Sequence, residues 1–295
     1  MIVVTGARGF IGRAVHEALR SRGNRVVTIG RSADADVRWP EAADFDSAGL
    51  ARLAGARAVV HLAGETIGVR WTEARKREIM ESRSRQTATL ARGLTRLSSR
   101  PAVLLSASAV GFYGAHGDEW LDEESASGTD FLSAVTRAWE DATAPARDSG
   151  IRVVRMRFGV AIGPGGGMLA RVRLPFSLGL GGRLGSGEQW LSWVALDDIT
   201  RFVLRAIDDE AFSGAVNVTS PSPVRNREFT AALAAQLGRP AVLPAPAFAL
   251  RAVFGEMADA MLLVGQRVRP ARLLAAGFEF DLPTMDVALR AALGR

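Results

Sequence analysis

The 295-residue chain reads as an α/β protein, a doubly wound parallel sheet followed by a smaller mixed C-terminal domain. Three observations predict this. The chain opens on an apolar strand that runs straight into a glycine-punctuated turn and a helix. Apolar strands then alternate with helical stretches, the pattern of a parallel sheet covered on both faces. From Asn226 onward the helices are broken by Pro240, Pro244 and Pro246, which marks 226–295 as a mostly helical unit expected to pack separately from a sheet domain at 1–225.

The opening stretch, Val3-Val4-Thr5-Gly6-Ala7-Arg8-Gly9-Phe10-Ile11-Gly12, gives the glycines a purpose. Gly6 lets the backbone turn off the strand, Gly9 lets a pyrophosphate approach the main chain, and Gly12 lets the helix pack closely on the strand. Paired phosphates would then sit on free N–H groups at a positive helix end. Gly6, Arg8, Gly9, Phe10, Ile11 and Gly12 are therefore candidate dinucleotide contacts, although the spacing is G-x-x-G-x-x-G and not the commoner G-x-G-x-x-G.

The helix continues through Ala14, Val15, Ala18 and Leu19 and can close at Gly23, and Arg25 to Ile29 reads as a second buried strand. An NAD-preferring site would carry an acidic side chain at the end of that strand. Here Gly30-Arg31-Ser32 follows instead. Arg31, with Ser32 beside it and Arg8 as a second cation, suits the 2′-phosphate of NADP(H), which a carboxylate would repel.

Composition narrows the classes. With 48% apolar residues the chain can bury a sizeable core. No uninterrupted apolar stretch is long enough for a membrane helix, and a strand beginning at Ile2 leaves no room for a signal peptide, so a cytoplasmic protein without a membrane partner is expected. The chain has no cysteine, and His16, His61 and His116 are far apart, so no metal is expected. The net charge of +6 does not imply nucleic acid, because Lys76 is the only lysine and the arginines around it alternate with Glu73, Glu78 and Glu81 as a mixed-sign solvated face.

Further along, 34–46 reads as a polar loop and Leu50 to Leu53 as part of a short helix. Ala58 to Gly64 is a third strand whose end, Leu62-Ala63-Gly64, would pass the adenine side of the cofactor. A long helix is predicted from about Thr72 to Leu97. The strand from Val103 breaks into Ser106 through Gly114, where Ser106 and Ala107 are small enough to admit a nicotinamide ring. A helix from about Thr129 to Ala146 and a strand over Ile151 to Phe158 follow. The glycine-rich run Gly179 to Trp190 has no P-loop lysine and reads as part of a substrate-side loop around 165–195. Trp193 to Asp198 reads as a strand with an aspartate cap on the next helix.

Taken together, these residues resemble the extended short-chain dehydrogenase/reductase superfamily, within it the atypical NAD(P)-dependent epimerase/dehydratase-like branch with an appended C-terminal domain of unknown function. The resemblance covers nearly the whole chain. It rests on Thr5 through Gly12, His61-Leu62-Ala63-Gly64-Glu65, Arg70-Trp71, Ser82-Arg83, Ser106 through Gly114, Trp139-Glu140, Gly185 through Gln189, Ser192-Trp193, Gly255-Glu256 and Gln266-Arg267-Val268. It implies a Rossmann-type sheet, an NADP(H) site to which Arg83 contributes, and a homodimer as a common state.

The superfamily's chemistry normally uses a serine, a tyrosine and a lysine four residues after it, the lysine lowering the pKa of the tyrosine. Ser108 keeps the serine's place. The other two positions fall near Phe131 and Val135, and neither residue can move a proton. Because Tyr113 is the only tyrosine and Lys76 precedes it, no Tyr-x-x-x-Lys pair exists anywhere in the chain. Ser108 and Tyr113 are left as catalytic candidates, with His116 and Glu119 on the following loop as alternatives and packing as the competing role for Tyr113. Arg70, Trp71, Gln189, Trp190 and Trp193 are the substrate-side candidates, Trp71 and Trp193 serving equally well as core residues. Two functions fit: an NADP(H)-dependent oxidoreductase or epimerase-like enzyme acting on a small polar or sugar-like substrate, and an inert NADP(H) sensor acting through partners.

Overall fold

The computed structural model describes residues 1–39 and 44–294. In chain order its strands are Ile2–Thr5 (β1), Val26–Gly30 (β2), Val37–Arg38 (β3), Ala58–His61 (β4), Val103–Ala109 (β5), Trp120–Leu121 (β6), Arg152–Phe158 (β7), Val160–Ile162 (β8), Trp190–Leu191 (β9), Trp193–Ala195 (β10), Gly214–Val218 (β11), Val224–Arg225 (β12) and Arg267–Val268 (β13). Seven of them form one sheet in the order β11-β7-β5-β4-β1-β2-β3, with every neighbouring pair parallel. The chain leaves β1 in one direction to reach β2 and β3, then crosses to its other side for β4, β5, β7 and β11. A crevice therefore opens beyond the carboxyl ends of β1, β2 and β4, where such sheets bind ligands.

The helices are Phe10–Ser21 (α1), Ser47–Leu53 (α2), Glu73–Thr95 (α3), Phe131–Asp141 (α4), Ala144–Asp148 (α5), Gly167–Ser177 (α6), Leu196–Asp208 (α7), Asn226–Leu237 (α8), Ala247–Phe254 (α9), Ala271–Ala275 (α10) and Met285–Leu293 (α11). Side chains alternate across a strand, and the core follows that rule. Ile2 and Val4 pack with Val15 and Leu19 of α1 and Ile199, Phe202 and Val203 of α7. Val3, between them, faces the opposite way and packs with Leu90, Ala91 and Leu94 of α3. Each such aliphatic side chain, once fully buried, stabilises by about 1.5–3 kcal/mol.

The predicted ends of the long helix hold: Thr72 caps α3 by accepting from the Arg75 N–H. The helix expected over 129–146 is instead two, α4 and α5. Pro145 lies in the first turn of α5, where its missing N–H costs nothing but would break a continuous helix. The segment read as a loop over 34–46 contributes the edge strand β3. Trp39 and Phe45, stacked with centroids 4.9 Å apart, are buried beneath it, and residues 40–43 of that segment lie outside the described residues.

The C-terminal segment does not pack by itself. Leu273 and Phe278 join the same apolar cluster as Ile2 and Val4, while Phe229, Leu233, Met285 and Leu289 pack with Ile162 and Trp193. A buried carboxylate joins the two parts. Asp198 accepts from the N–H groups of Asp281 (2.8 Å) and Leu282 (3.2 Å), so this aspartate caps the C-terminal segment and not its own helix, whose N-cap is Ala195. Burial holds the Asp198 pKa above the usual carboxylate value against those two donors.

Candidate cofactor and active site

A cleft of about 760 Å³ occupies the crevice. Its floor is the turn Gly6 to Gly9. One wall is Gly30-Arg31-Ser32 from the end of β2, and the other is Leu62 to Glu65 from the end of β4 together with Ser82 of α3. The turn has little room for side chains. Gly6 adopts φ +69°, and a Cβ there would stand 2.7 Å from the Leu62 carbonyl carbon. A Cβ on Gly12 would lie 2.0 Å from the Gly6 oxygen, so the helix could not sit this close to the strand.

Gly9 is the N-cap of α1 and brings no side-chain cap. The first bond of the helix runs from the Arg13 N–H to the Gly9 carbonyl, which leaves the N–H groups of Phe10, Ile11 and Gly12 directed out of the helix end. The side chains of two of these residues are used elsewhere. Ile11 packs against the main core. The ring of Phe10 fills space that Cβ atoms on Gly166 and Gly167 would need, so the glycine loop after β8 accommodates Phe10.

His61 fixes the far wall. Thr5 Oγ1 lies 2.7 Å from its Nδ1 and Thr87 Oγ1 2.8 Å from its Nε2, and Thr5 Oγ1 also accepts from the N–H groups of Leu62 and Ala63. Burial lowers the His61 pKa to about 4, which keeps the ring neutral at physiological pH.

Two arginines stand at the outer end of the cleft. Arg8 pairs with Asp34 at 3.2 Å and Arg31 with Glu65 at 3.0 Å, each guanidinium remaining more than half exposed. The nearby acids are already engaged. A bond from the Ser32 hydroxyl is the main reason that the Asp34 pKa is lowered. Asp36 accepts from both the N–H and the hydroxyl of Thr28 at 2.8 Å. The residues present fit a dinucleotide with a 2′-phosphate: bare amides where paired phosphates would lie, and two arginines and a serine where an extra anion would lie.

Arg83 sits under the wall of the cleft. It is buried and donates to the Ile79 and Glu65 carbonyls, and its guanidinium lies 5.0 Å over the Trp139 ring. Burial without a contacting carboxylate lowers its pKa to about 10. A Cβ on Gly64 would approach it to 3.4 Å.

Ser106 and Ala107 are buried along β5. The two proton-transfer candidates, Ser108 and Tyr113, belong to one buried network, at 2% and 0% exposure. Ser108 donates to Glu140 at 2.7 Å, and the same carboxylate takes two bonds from Arg157, at 2.7 and 2.9 Å. Arg157 also donates to the Tyr113 hydroxyl, which donates to Asn217, and the guanidinium lies 3.5 Å over the Phe112 ring. Burial pushes the Tyr113 phenol up to about 12, the opposite of what the missing lysine would do. The tyrosine is a packed, hydrogen-bonded interior residue.

The substrate-side candidates do not converge on one point. Arg70 donates to the carbonyls of Ala252 and Val253, tying α9 to the approach of α3. Trp71 donates to the Ile67 carbonyl and packs edge-on against Phe131, centroids 5.1 Å apart. Gln189 bonds the carbonyls of Leu184 and Leu262. Trp190 bonds Asp118 and stacks with Arg225 and Arg267. Trp193 is fully buried, with its indole N–H on the Ser222 carbonyl, which is the core role that the sequence left open beside the substrate-side one.

Sequence reasoning missed Glu140 and Arg157 as a pair. Three arginines in the otherwise apolar strand β7, Arg152, Arg155 and Arg157, with a Trp-Glu step on α4, were the signal. Among the described residues no cluster of His, Asp or Glu could hold a metal, and no helix is long and apolar enough to cross a membrane.

The fold and cleft define a dinucleotide-binding protein of the extended short-chain dehydrogenase/reductase type. The chain belongs to the NAD dependent epimerase/dehydratase family, whose model matches residues 2–219. A domain of unknown function, DUF1731, matches residues 245–292. An epimerase family protein of Mycobacterium bovis is 43% identical over all of this chain and 98% of its own length. The human epimerase family protein SDR39U1, crystallised with NADPH, superposes with a TM-score of 0.90 at 34% identity, covering 100% of this chain and 99% of that one. A nucleoside-diphosphate sugar epimerase from Corynebacterium glutamicum superposes at 0.82 with 38% identity, covering 99% of this chain and 58% of that one.

Proposed function

We propose that this protein binds NADP(H) and works as an oxidoreductase or epimerase-like enzyme on a small polar or sugar-like substrate, without the usual tyrosine–lysine pair. The observation that carries this reading is the cleft itself, with its uncapped helix end and its arginines at the 2′ end. The NADPH in the human relative supports it. Bound there, the cofactor would supply hydride transfer to or from its nicotinamide.

The chain's own residues have separate tasks. Gly6, Gly9 and the N–H groups of Phe10, Ile11 and Gly12 hold the paired phosphates, and Arg8, Arg31 and Ser32 the 2′-phosphate. Leu62, Ala63 and Gly64 with Arg83, Ser106 and Ala107 shape the inner end. Ser108 is the proton-transfer group we assign. Its hydroxyl already donates to Glu140, so a proton leaving it has a carboxylate acceptor.

A second reading, a cofactor sensor without turnover, is favoured by the burial of Ser108 and Tyr113 and by the apolar Phe131 and Val135. Following NADPH oxidation with a panel of carbonyl substrates separates the two. Turnover lost in Ser108→Ala supports the enzyme. Tight NADPH binding with no turnover on any substrate supports the sensor.

A further inference from the structure

We propose that the face made by the end of α6 and the segments 178–185 and 239–253 rests on an anionic lipid surface without crossing it. This departs from the expectation of no membrane partner, because a surface contact has a different signature from a span.

The large apolar side chains that stand out of this protein are concentrated on that face. Leu174, Leu178, Leu180, Val242, Leu243 and Phe248 are each more than half exposed, with Val242 at 74% and Phe248 at 75%. They belong to one surface, because the two segments run side by side. The Leu243 N–H donates to the Gly181 carbonyl, the Ala245 N–H to Arg183 and the Gly185 N–H to Ala245, at 2.9–3.1 Å. Leu174 and Leu178 stand one turn apart on the same side of α6. Contiguous apolar patches of this kind mark contact surfaces.

Charge selects the occupant. Neither 163–187 nor 229–255 contains an aspartate or glutamate, yet the two carry Arg171, Arg173, Arg183, Arg239 and Arg251. Arg171 is held by the Gly68 carbonyl and Arg251 by Asp259. The other three have no acidic partner among the described residues. A two-fold pairing with a second copy would bring these arginines against each other with no carboxylate between them. A folded protein partner would need a hollow matched to this protruding apolar face and carboxylates set against its arginines. A bilayer interface accepts protruding leucine, valine and phenylalanine without matching their shape, and anionic headgroups meet the arginines around them. Through Arg70 on the carbonyls of Ala252 and Val253, the same face borders the substrate-side residues.

The test uses the full chain and sedimentation with vesicles of phosphatidylcholine alone or doped with phosphatidylglycerol. Binding is expected to the doped vesicles and to fall as the screening length shortens from about 10 Å at 0.1 M to about 3 Å at 1 M salt. Arg239→Ser should weaken it about fivefold. Phe248→Ser with Val242→Ser should weaken it about tenfold or more, with thermal midpoint and NADPH affinity unchanged because both side chains are exposed. Four results would overturn the proposal: no sedimentation with the doped vesicles, equal binding to both vesicle types, a dimer by light scattering that the paired substitution dissolves, or patch-dependent capture of an acidic protein without lipid binding.

Discussion

The Arg31 guanidinium and the Glu65 carboxylate meet at 3.0 Å across the outer end of the cleft, joining the end of β2 to the loop after β4. Arg75 approaches the other Glu65 oxygen at 3.5 Å. Arg31 is thus held at the cleft by a carboxylate on the opposite wall, where a 2′-phosphate would find it.

Arg31→Ala should therefore weaken NADPH binding about tenfold, the lower end for a lost bond to a charged group because the site is solvated. NADH binding should change less than about twofold. Calorimetric titration with both cofactors checks this, and equal losses for both would count against a 2′-phosphate contact.

Gly12→Ala places a Cβ 2.0 Å from the Gly6 oxygen, so α1 must move off β1. Such overpacking costs about 1–3 kcal/mol and spoils the phosphate-holding turn at the same time. A lower thermal midpoint together with weaker NADPH binding is expected. Gly9→Ala, whose Cβ would meet only the Gly6 oxygen at 3.2 Å, should lose cofactor affinity with a smaller change in stability.

Glu140→Gln leaves Arg157 buried with its carboxylate partner gone. Removing one member of a buried pair costs about 3–5 kcal/mol, to be read from the urea midpoint. Tyr113→Phe removes one hydroxyl from the same network and should cost about 1 kcal/mol. Substrate turnover that survives Tyr113→Phe confirms the packed role, and its abolition in a stably folded variant would restore Tyr113 as proton donor.

His61 makes stability depend on pH. Its folded pKa of about 4 lies below the ordinary 6.5, so between those values the unfolded chain takes up a proton that the folded chain refuses. Its contribution is complete above pH 6.5 and falls away towards pH 4, by about 3 kcal/mol in total. Denaturation in urea at several pH values should show this slope, and His61→Asn should flatten it.

The alternating elements, the phosphate turn and the basic end of β2 could be read from the residues because each depends on neighbours in the chain. A glycine turn between strand and helix is a local arrangement, and Gly6, Gly9, Gly12 and Arg31 lie within 26 residues of each other. The edge strand β3 was not legible, since two residues in a polar stretch give no periodicity, and neither was the break at α4–α5 despite Pro145. The C-terminal segment looked separate because prolines interrupt it, yet Leu273 and Phe278 complete the core beneath the sheet.

By itself the sequence determined the sheet class, the place where a dinucleotide would lie and, by a count of one tyrosine and one lysine, that the superfamily's usual proton-transfer pair is missing. The tertiary structure alone decided what Ser108, Tyr113, Trp193 and Asp198 touch. Their partners Glu140, Asn217, Ser222 and Asp281 stand 29 to 104 residues away in the chain. A side chain's burial and the partner that satisfies it arise only when distant segments meet, and no local pattern encodes which segments those will be.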